Sequence, residues 1–266
     1  MSFRAAAWLK LPVSTKSQKI LNVSSCMSER EDKFFTSERF TMQITLNLNS
    51  VHSKIVETAK RVGREPLDIQ LIAVTKTFPV EVVREAVEAG HKIFGENKVQ
   101  ELLAKQPQLP STLQWHLIGH LQSNKVRKVL PAIAAIHSVD SLDLARDINR
   151  IAAELGLFPK VFLEVNVAAE ASKHGFAPAT LEAELDALLA LDRLEIYGFM
   201  CVPPHSGEPE DSRKHFVFLR ELRDKMEARA GAPFPQLSMG MSNDYQIAVE
   251  EGSTHVRVGS AIFGSR

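Results

Sequence analysis

Lys76 ends the apolar run Leu71-Ile72-Ala73-Val74-Thr75, where a buried strand would open into a loop. A lysine on that border keeps its stem among apolar side chains and presents its amine to a cleft. Desolvation disfavours the ammonium form, so more free amine stands ready to attack an aldehyde and form an imine. The plainer reading is a strand-end lysine that snorkels to water, and on Lys76 alone that reading is favoured. The other end of the chain shifts the balance. Ser238-Met239-Gly240-Met241-Ser242 and Val256-Arg257-Val258-Gly259-Ser260 supply the parts of a phosphate site. Gly259 would let a phosphate approach the backbone, and the Ser242 and Ser260 hydroxyls with helix N-terminal amides could hold it. Each half is weak alone, because Gly-Ser pairs are common in turns. Together on one surface they point to a phosphorylated aldehyde.

Those groups meet only if a fold carries them to one place. Val51, Ile55, Ala59 and Val62 recur at helical spacing and mark a leading helix. Eight strand-like apolar runs follow, at about 68–76, 92–96, 115–119, 134–139, 160–167, 195–202, 236–240 and 255–263. Helical stretches separate them. Pro79 opens one that ends at Gly90, Ser141-Leu142-Asp143 caps one that ends at Gly156, and Phe216, Leu219, Leu222 and Met226 stripe another. Further helices are predicted at about 97–106, 123–130, 178–191 and 243–251. The runs are apolar on both faces, as in a parallel sheet covered by helices. The expected fold is α/β, a single (β/α)8 TIM-type barrel with a leading helix. A doubly wound open sheet is the rival, but it would carry a glycine-rich turn where Thr75-Lys76-Thr77-Phe78 stands. In a barrel, the strand C-termini gather Lys76, Glu96, Asn97, Gly119, His120, Asn166, Met200, Ser242, Arg257, Gly259 and Ser260 at one mouth.

Composition narrows the classes. Of 266 residues, 44% are hydrophobic and 24% charged, and 32 basic side chains balance 32 acidic ones. That balance argues against nucleic acid or an anionic membrane as the main partner. Two cysteines, Cys26 and Cys201, without a CxxC or a His/Cys cluster, argue against a disulfide scaffold or structural zinc and favour a reducing, cytoplasmic setting. No apolar stretch approaches the roughly 18 residues of a membrane span. Residues 1–28 contain Arg4, Lys10, Lys16 and Lys19 but no acidic residue. A transit peptide is possible in composition, but the expectation is that residues 1–41 are a disordered extension or a misassigned start and that residues 42–266 form the domain.

Five segments carry a resemblance. They are Ala73–Thr77, Phe94–Glu101, Trp115–Lys125, Ser238–Asp244 and Val256–Gly264. In order, over about residues 43–266, they resemble the pyridoxal phosphate homeostasis protein family, whose fold is that of the alanine racemase N-terminal barrel. His120 stands where a proline is common, a departure that touches nothing essential. The resemblance implies pyridoxal 5′-phosphate (PLP) held as a covalent imine on Lys76, its phosphate on Ser242, Gly259 and Ser260, Arg257 facing the pyridine nitrogen, and Asn97 near the ring. It implies no catalytic residue and no metal. The implied function is intracellular PLP homeostasis, with PLP and transiently apo PLP enzymes as partners and a monomeric state. An arginine at the pyridine nitrogen only donates, so the ring should stay unprotonated and be a poor electron sink.

The competing readings are a PLP-dependent racemase or similar enzyme, and a Schiff-base aldolase without cofactor. Racemases on this barrel add a large β-domain, for which three residues after Phe263 leave no room. An aldolase leaves Arg257, Gly259 and Ser260 unexplained. Other candidates have plain readings: His116 and His120, which flank the predicted mouth, as hydrogen-bonded residues rather than acid–base catalysts, and Lys125, Arg127 and Lys128 as a solvated helix face. Glu96 and Glu164 could be paired carboxylates or loop-orienting ones. Met239 and Met241 should pack in the core or under the cofactor, and Cys201 should be a small buried hydrophobe.

Overall fold

A computed structural model describes residues 42–168, 170, 174–204 and 207–264 of the chain. The extension expected over residues 1–41 lies outside the described residues. Helix α1 covers 42–61 and buries Ile44, Leu48, Val51, Ile55 and Ala59, one face of a 3.6-residue period. Val62, expected in the same stripe, lies past the last turn and is 39% exposed.

Among the described residues, eight strands and eight further α-helices then alternate. They are β1 Gln70–Val74, α2 Val80–Glu88, β2 Ile93–Glu96, α3 Val99–Lys105, β3 Gln114–Leu117, α4 Val126–Val129, β4 Ala135–Val139 and α5 Leu142–Leu155. The second half is β5 Lys160–Glu164, α6 Pro178–Leu189, β6 Glu195–Met200, α7 Arg213–Ala230, β7 Gln236–Ser238, α8 Tyr245–Glu250, β8 His255–Val258 and α9 Ser260–Phe263. Each strand pairs in parallel with the next, and β1 pairs with β8 in the register Ile72 to Arg257, so the sheet closes into the expected barrel. Local chemistry sets the boundaries. Ser141 caps α5 by accepting from the Leu144 amide at 3.3 Å, a contact worth about 1 kcal/mol, and Gly156 ends the helix at φ 68°.

The two strand faces have separate tasks. Outward residues such as Leu71, Ala73, Phe94, Leu117, Val256 and Val258 join the core under the helices. Inward residues meet across the barrel: the His116 ring on β3 lies 6.2 Å from His255 on β8, and Phe162 on β5 lies 5.1 Å from His255. Only side chains pointing at the axis of a closed sheet reach a non-neighbouring strand in this way.

Three expected elements differ. The fifth run stops at Glu164, leaving Asn166 in the following loop, where its side chain bonds the Glu170 backbone. The eighth run is not all strand: it ends at Val258, and Gly259, at φ −118° and ψ −75°, turns the chain into α9. The expected 123–130 helix is a short α4 between two 3-10 turns, Ser123–Lys125 and Leu130–Ala132, the second built on Pro131.

Candidate functional site

A cavity of about 690 Å³ opens at the C-terminal ends of the strands. Lys76, Asn97, Ser242, Arg257, Gly259 and Ser260 all line it, so the structure brings the six sequence-predicted residues together. Val74, Ile118 and Met241 add apolar wall, and Pro203, Pro204 and Pro209 form part of it after β6. Glu96, Gly119, His120, Asn166 and Met200, expected at the same mouth, are not part of the cavity wall.

Arg257 sits at the cavity floor, 4% exposed. It donates to Ser238 Oγ at 2.6 Å and to the Cys201 carbonyl at 2.8 Å, both neutral acceptors. Burial pulls its pKa down, while Cys201, Glu164 and Asp244 oppose that, and a guanidinium stays charged regardless. Beside it, Ser242 Oγ accepts from the Gly259 amide at 3.1 Å and the Ala261 amide at 3.3 Å, leaving the hydroxyl proton to donate. Asp244 holds this loop: Oδ1 accepts from the Met241 amide at 2.7 Å and Oδ2 from the Ser212 hydroxyl at 2.8 Å. A Cβ on Gly259 would stand 3.3 Å from the Val74 carbonyl, so glycine is favoured there by β1 as well as by any ligand.

Lys76 continues the inward parity of Ile72 and Val74 beyond the end of β1. Its chain neighbours are firmly held. The Thr75 hydroxyl donates to Glu96 Oε1 at 2.6 Å, and the Thr75 carbonyl accepts from Lys105 Nζ at 2.8 Å. Thr77 is the one non-glycine with positive φ among the described residues, at 67°, and its amide donates to Glu101 Oε2 at 2.7 Å. A β-branched residue in the left-handed region costs about 1–3 kcal/mol, so the surroundings must impose it. Just after β3, a Cβ on Gly119 would stand 2.4 Å from the Asn97 carbonyl; glycine there lets the Asn97 backbone pass.

The sequence profile of the alanine racemase N-terminal domain family matches residues 46–266. A pyridoxal phosphate homeostasis protein of Aquifex aeolicus is 40% identical over 220 residues, covering 82% of this chain and 96% of the relative. The structure of PipY from Synechococcus elongatus, with PLP bound, superposes at TM-score 0.75 with 41% identity, covering 84% of this chain and 100% of that one. This chain belongs to the pyridoxal phosphate homeostasis protein family. An alanine racemase of Clostridium difficile shares the fold at TM-score 0.67 and 18% identity, covering 84% of this chain and 57% of that one.

Within that family fold, several ionisable residues take places the sequence did not indicate. His116 was expected beside the mouth but is buried inside the barrel with His137 and His255, hydrogen-bonded to His137 at 2.8 Å. Ser238 connects the two regions, bonding Arg257 on one side and His137 Nδ1 at 2.8 Å on the other. One arrangement that satisfies these bonds has the Ser238 hydroxyl donating to His137 Nδ1 and His137 Nε2–H donating to His116 Nδ1; the buried His116 Nε2 has no partner. Burial lowers these imidazoles to about 4 for His116, about 3 for His255 and well below 6.5 for His137, so all three are neutral. The bland reading of His116 therefore holds.

Glu96 and Glu164 do not pair. Glu96 is tied to Thr75 and Lys105, and burial raises its pKa against those bonds. Glu164 is raised to about 7, first by burial and then by Asp140, with Arg257 and His120 opposing. His120, Asp140 and His174 cluster at the surface, with His120 Nδ1 at 3.0 Å and His174 Nδ1 at 3.5 Å from Asp140 Oδ2. The two imidazoles stack at 4.1 Å and 14°, so their in-plane lone pairs do not aim at one point; the arrangement suits a shared carboxylate better than a metal ion. Arg127 pairs with Glu154 in the open, as a solvated face would. Met239 is in the core and Met241 lines the cavity. Cys201 is buried, and what it contributes is its carbonyl. Among the described residues, no helix is long and apolar enough to cross a membrane.

Proposed function

We propose that this protein binds PLP and serves intracellular PLP homeostasis, storing and delivering the cofactor without turning over amino acids at enzyme rates. The observation that carries this reading is the convergence of Lys76, Asn97, Ser242, Arg257, Gly259 and Ser260 on one cavity. Its volume, about 690 Å³, lies within the usual range for small-molecule sites. The names of the relatives, and PLP in the PipY structure, support the same ligand.

In this reading the Lys76 amine would hold the cofactor through its aldehyde carbon as an imine, the aldehyde oxygen leaving as water with the two amine protons. The Ser242 hydroxyl, the Gly259 backbone and Ser260 hold the phosphate. Asn97 flanks the ring. Arg257, whose hydrogen bonds to Ser238 and Cys201 leave its charge to draw a further acceptor, faces the pyridine nitrogen. Bound PLP supplies an electron sink, and that sink is strongest with the ring nitrogen protonated. A guanidinium only donates, so it holds the nitrogen as an acceptor and keeps the sink weak. The same economy fits a monomeric cytoplasmic carrier that meets apo PLP enzymes transiently.

A racemase would need the opposite electronics. Incubating the PLP-loaded protein with L-amino acids in deuterated water, followed by chiral analysis, separates the two. The carrier reading expects no exchange or racemisation at enzyme rates; turnover near the roughly 10 s⁻¹ of ordinary enzymes overturns it.

A further inference from the structure

The residues that flank Lys76 are bonded to three linked charged side chains, Glu96, Lys105 and Glu101, that the reading above does not use. Lys105 Nζ, on α3, donates to Glu96 Oε1 at 2.6 Å and to the Thr75 carbonyl at 2.8 Å, and lies 3.6 Å from Glu101 Oε2. Glu96 Oε1 also accepts the Thr75 hydroxyl, and Glu101 Oε2 accepts the Thr77 amide. The Lys105 and Glu96 side chains are 9% and 0% exposed. An ion pair this buried is an expensive way to stabilise a fold, and apolar side chains of the same size often do as well. The pair bonds the residue before Lys76, and the partly exposed Glu101, 3.6 Å from Lys105 Nζ, accepts from the residue after it, Thr77, which is held at φ 67°, where threonine does not go unaided. Backbone strain of this kind concentrates where a side chain must be aimed.

We infer that Glu96, Lys105 and Glu101 are positioning residues that clamp the backbone on both sides of Lys76 and aim its amine into the cavity. The inference rests on Lys76 being the PLP-binding lysine. The phosphate-side groups belong to β8, α9 and the loop after β7, so the clamp and the phosphate cradle are separate parts. Fixing the cradle localises the ligand; fixing Thr75 and Thr77 sets where the amine meets the aldehyde, and a misplacement near 1 Å costs up to a hundredfold in rate.

The test uses Glu101→Ala, at a partly exposed position where folding should survive, with Glu101→Gln as the conservative variant and Thr77→Gly added to Glu101→Ala as a compensating change. The readouts are the rate of imine formation after mixing with PLP, total PLP retained, and melting temperature. Glu101→Ala should form the imine on the order of tenfold more slowly, with retained PLP and melting temperature close to the unmodified protein. Glu101→Gln, which still accepts the Thr77 amide, should recover most of the rate. Thr77→Gly should recover part of it, because glycine adopts positive φ without being held there. An unchanged rate in Glu101→Ala overturns the clamp, as does a rate loss matched by equal losses of retained PLP and melting temperature. Borohydride reduction of the unmodified protein separates the two levels. A pyridoxyl label on Lys76 with an unaffected Glu101→Ala sinks only the clamp; no label on Lys76 sinks the reading of the site and the clamp with it.

Discussion

The barrel interior and the barrel mouth both hold ionisable side chains, and they treat them in opposite ways. Inside, His116, His137 and His255 pack with Phe162, the His137 ring stacking on Phe162 at 4.2 Å, and burial keeps all three imidazoles neutral. At the mouth, Arg257 stays charged although buried, Glu164 is poised near neutrality, and Lys76 reaches a cavity. Ser238 is the boundary, bonded to Arg257 above and His137 below. The interior uses ring nitrogens as a hydrogen-bonded plug that supports Arg257 from beneath. The mouth keeps its charge beside a cavity. A titratable residue type is therefore no signal of a site in this fold; its height along the strand is.

The largest expected effect comes from removing the charge at the boundary. Arg257→Met should weaken PLP binding by roughly ten- to a hundredfold, the worth of a hydrogen bond to a charged donor, measured by titrating the apo protein. Undiminished affinity would place the ligand away from the cavity floor. Next is the plug itself. His137→Ala removes a buried ring and strands Ser238 and His116, so unfolding in urea should show a loss of about 2–4 kcal/mol, with PLP affinity reduced less than in Arg257→Met.

The two regions should also respond oppositely to pH. The interior imidazoles have folded pKa values below the unfolded 6.5, so the unfolded chain binds more protons and stability falls as pH drops from 6.5 toward 4. His255→Phe should flatten that slope by up to about 1.4 kcal/mol per pH unit. Glu164 has the reverse sign: its folded pKa of about 7 lies above the unfolded 4.5, so its ionisation in the fold costs stability as pH rises from 4.5 through 7. Glu164→Gln should gain roughly 1–3 kcal/mol on the wild type at pH 8 and little at pH 4; equal gains at both would mean that Glu164 is not desolvated. The smallest effect expected is none: a chain starting at Met42 should keep the melting temperature and PLP content of the full chain, a proposal that a drop in either would refute.

The alternation of apolar runs and helical stripes made the barrel legible, because parallel strands covered on both sides read as continuous apolar stretches. The six cavity residues were legible because they fall at or just beyond strand ends within four of the five distinctive segments. Other features were hidden for identifiable reasons. The apolar residues of the run from His255 to Phe263 continue past Gly259-Ser260 as Ala261-Ile262-Phe263, so the run read as one strand although the Gly-Ser pair stands where the chain turns from strand to helix. Lys105 follows Glu101 by four residues on α3, which reads as an ordinary exposed helix pair until β2 brings Glu96 alongside. The Cys201 acceptor is a backbone carbonyl, invisible to any reading of side chains. His116 looked like a mouth residue because the motif around it reaches the mouth, yet it stands two positions below Ile118, one full inward step deeper in the barrel.

The central claim is that Lys76, which lines one cavity with Arg257, Ser242, Gly259 and Ser260, is the residue that bonds PLP. Borohydride reduction of the PLP-loaded full chain, followed by peptide mass mapping, tests it most directly. The account predicts a pyridoxyl group on the peptide containing Lys76, and its loss in Lys76→Ala while some PLP is still retained noncovalently by the cradle. A label on another lysine, or no label at saturating PLP, would contradict it.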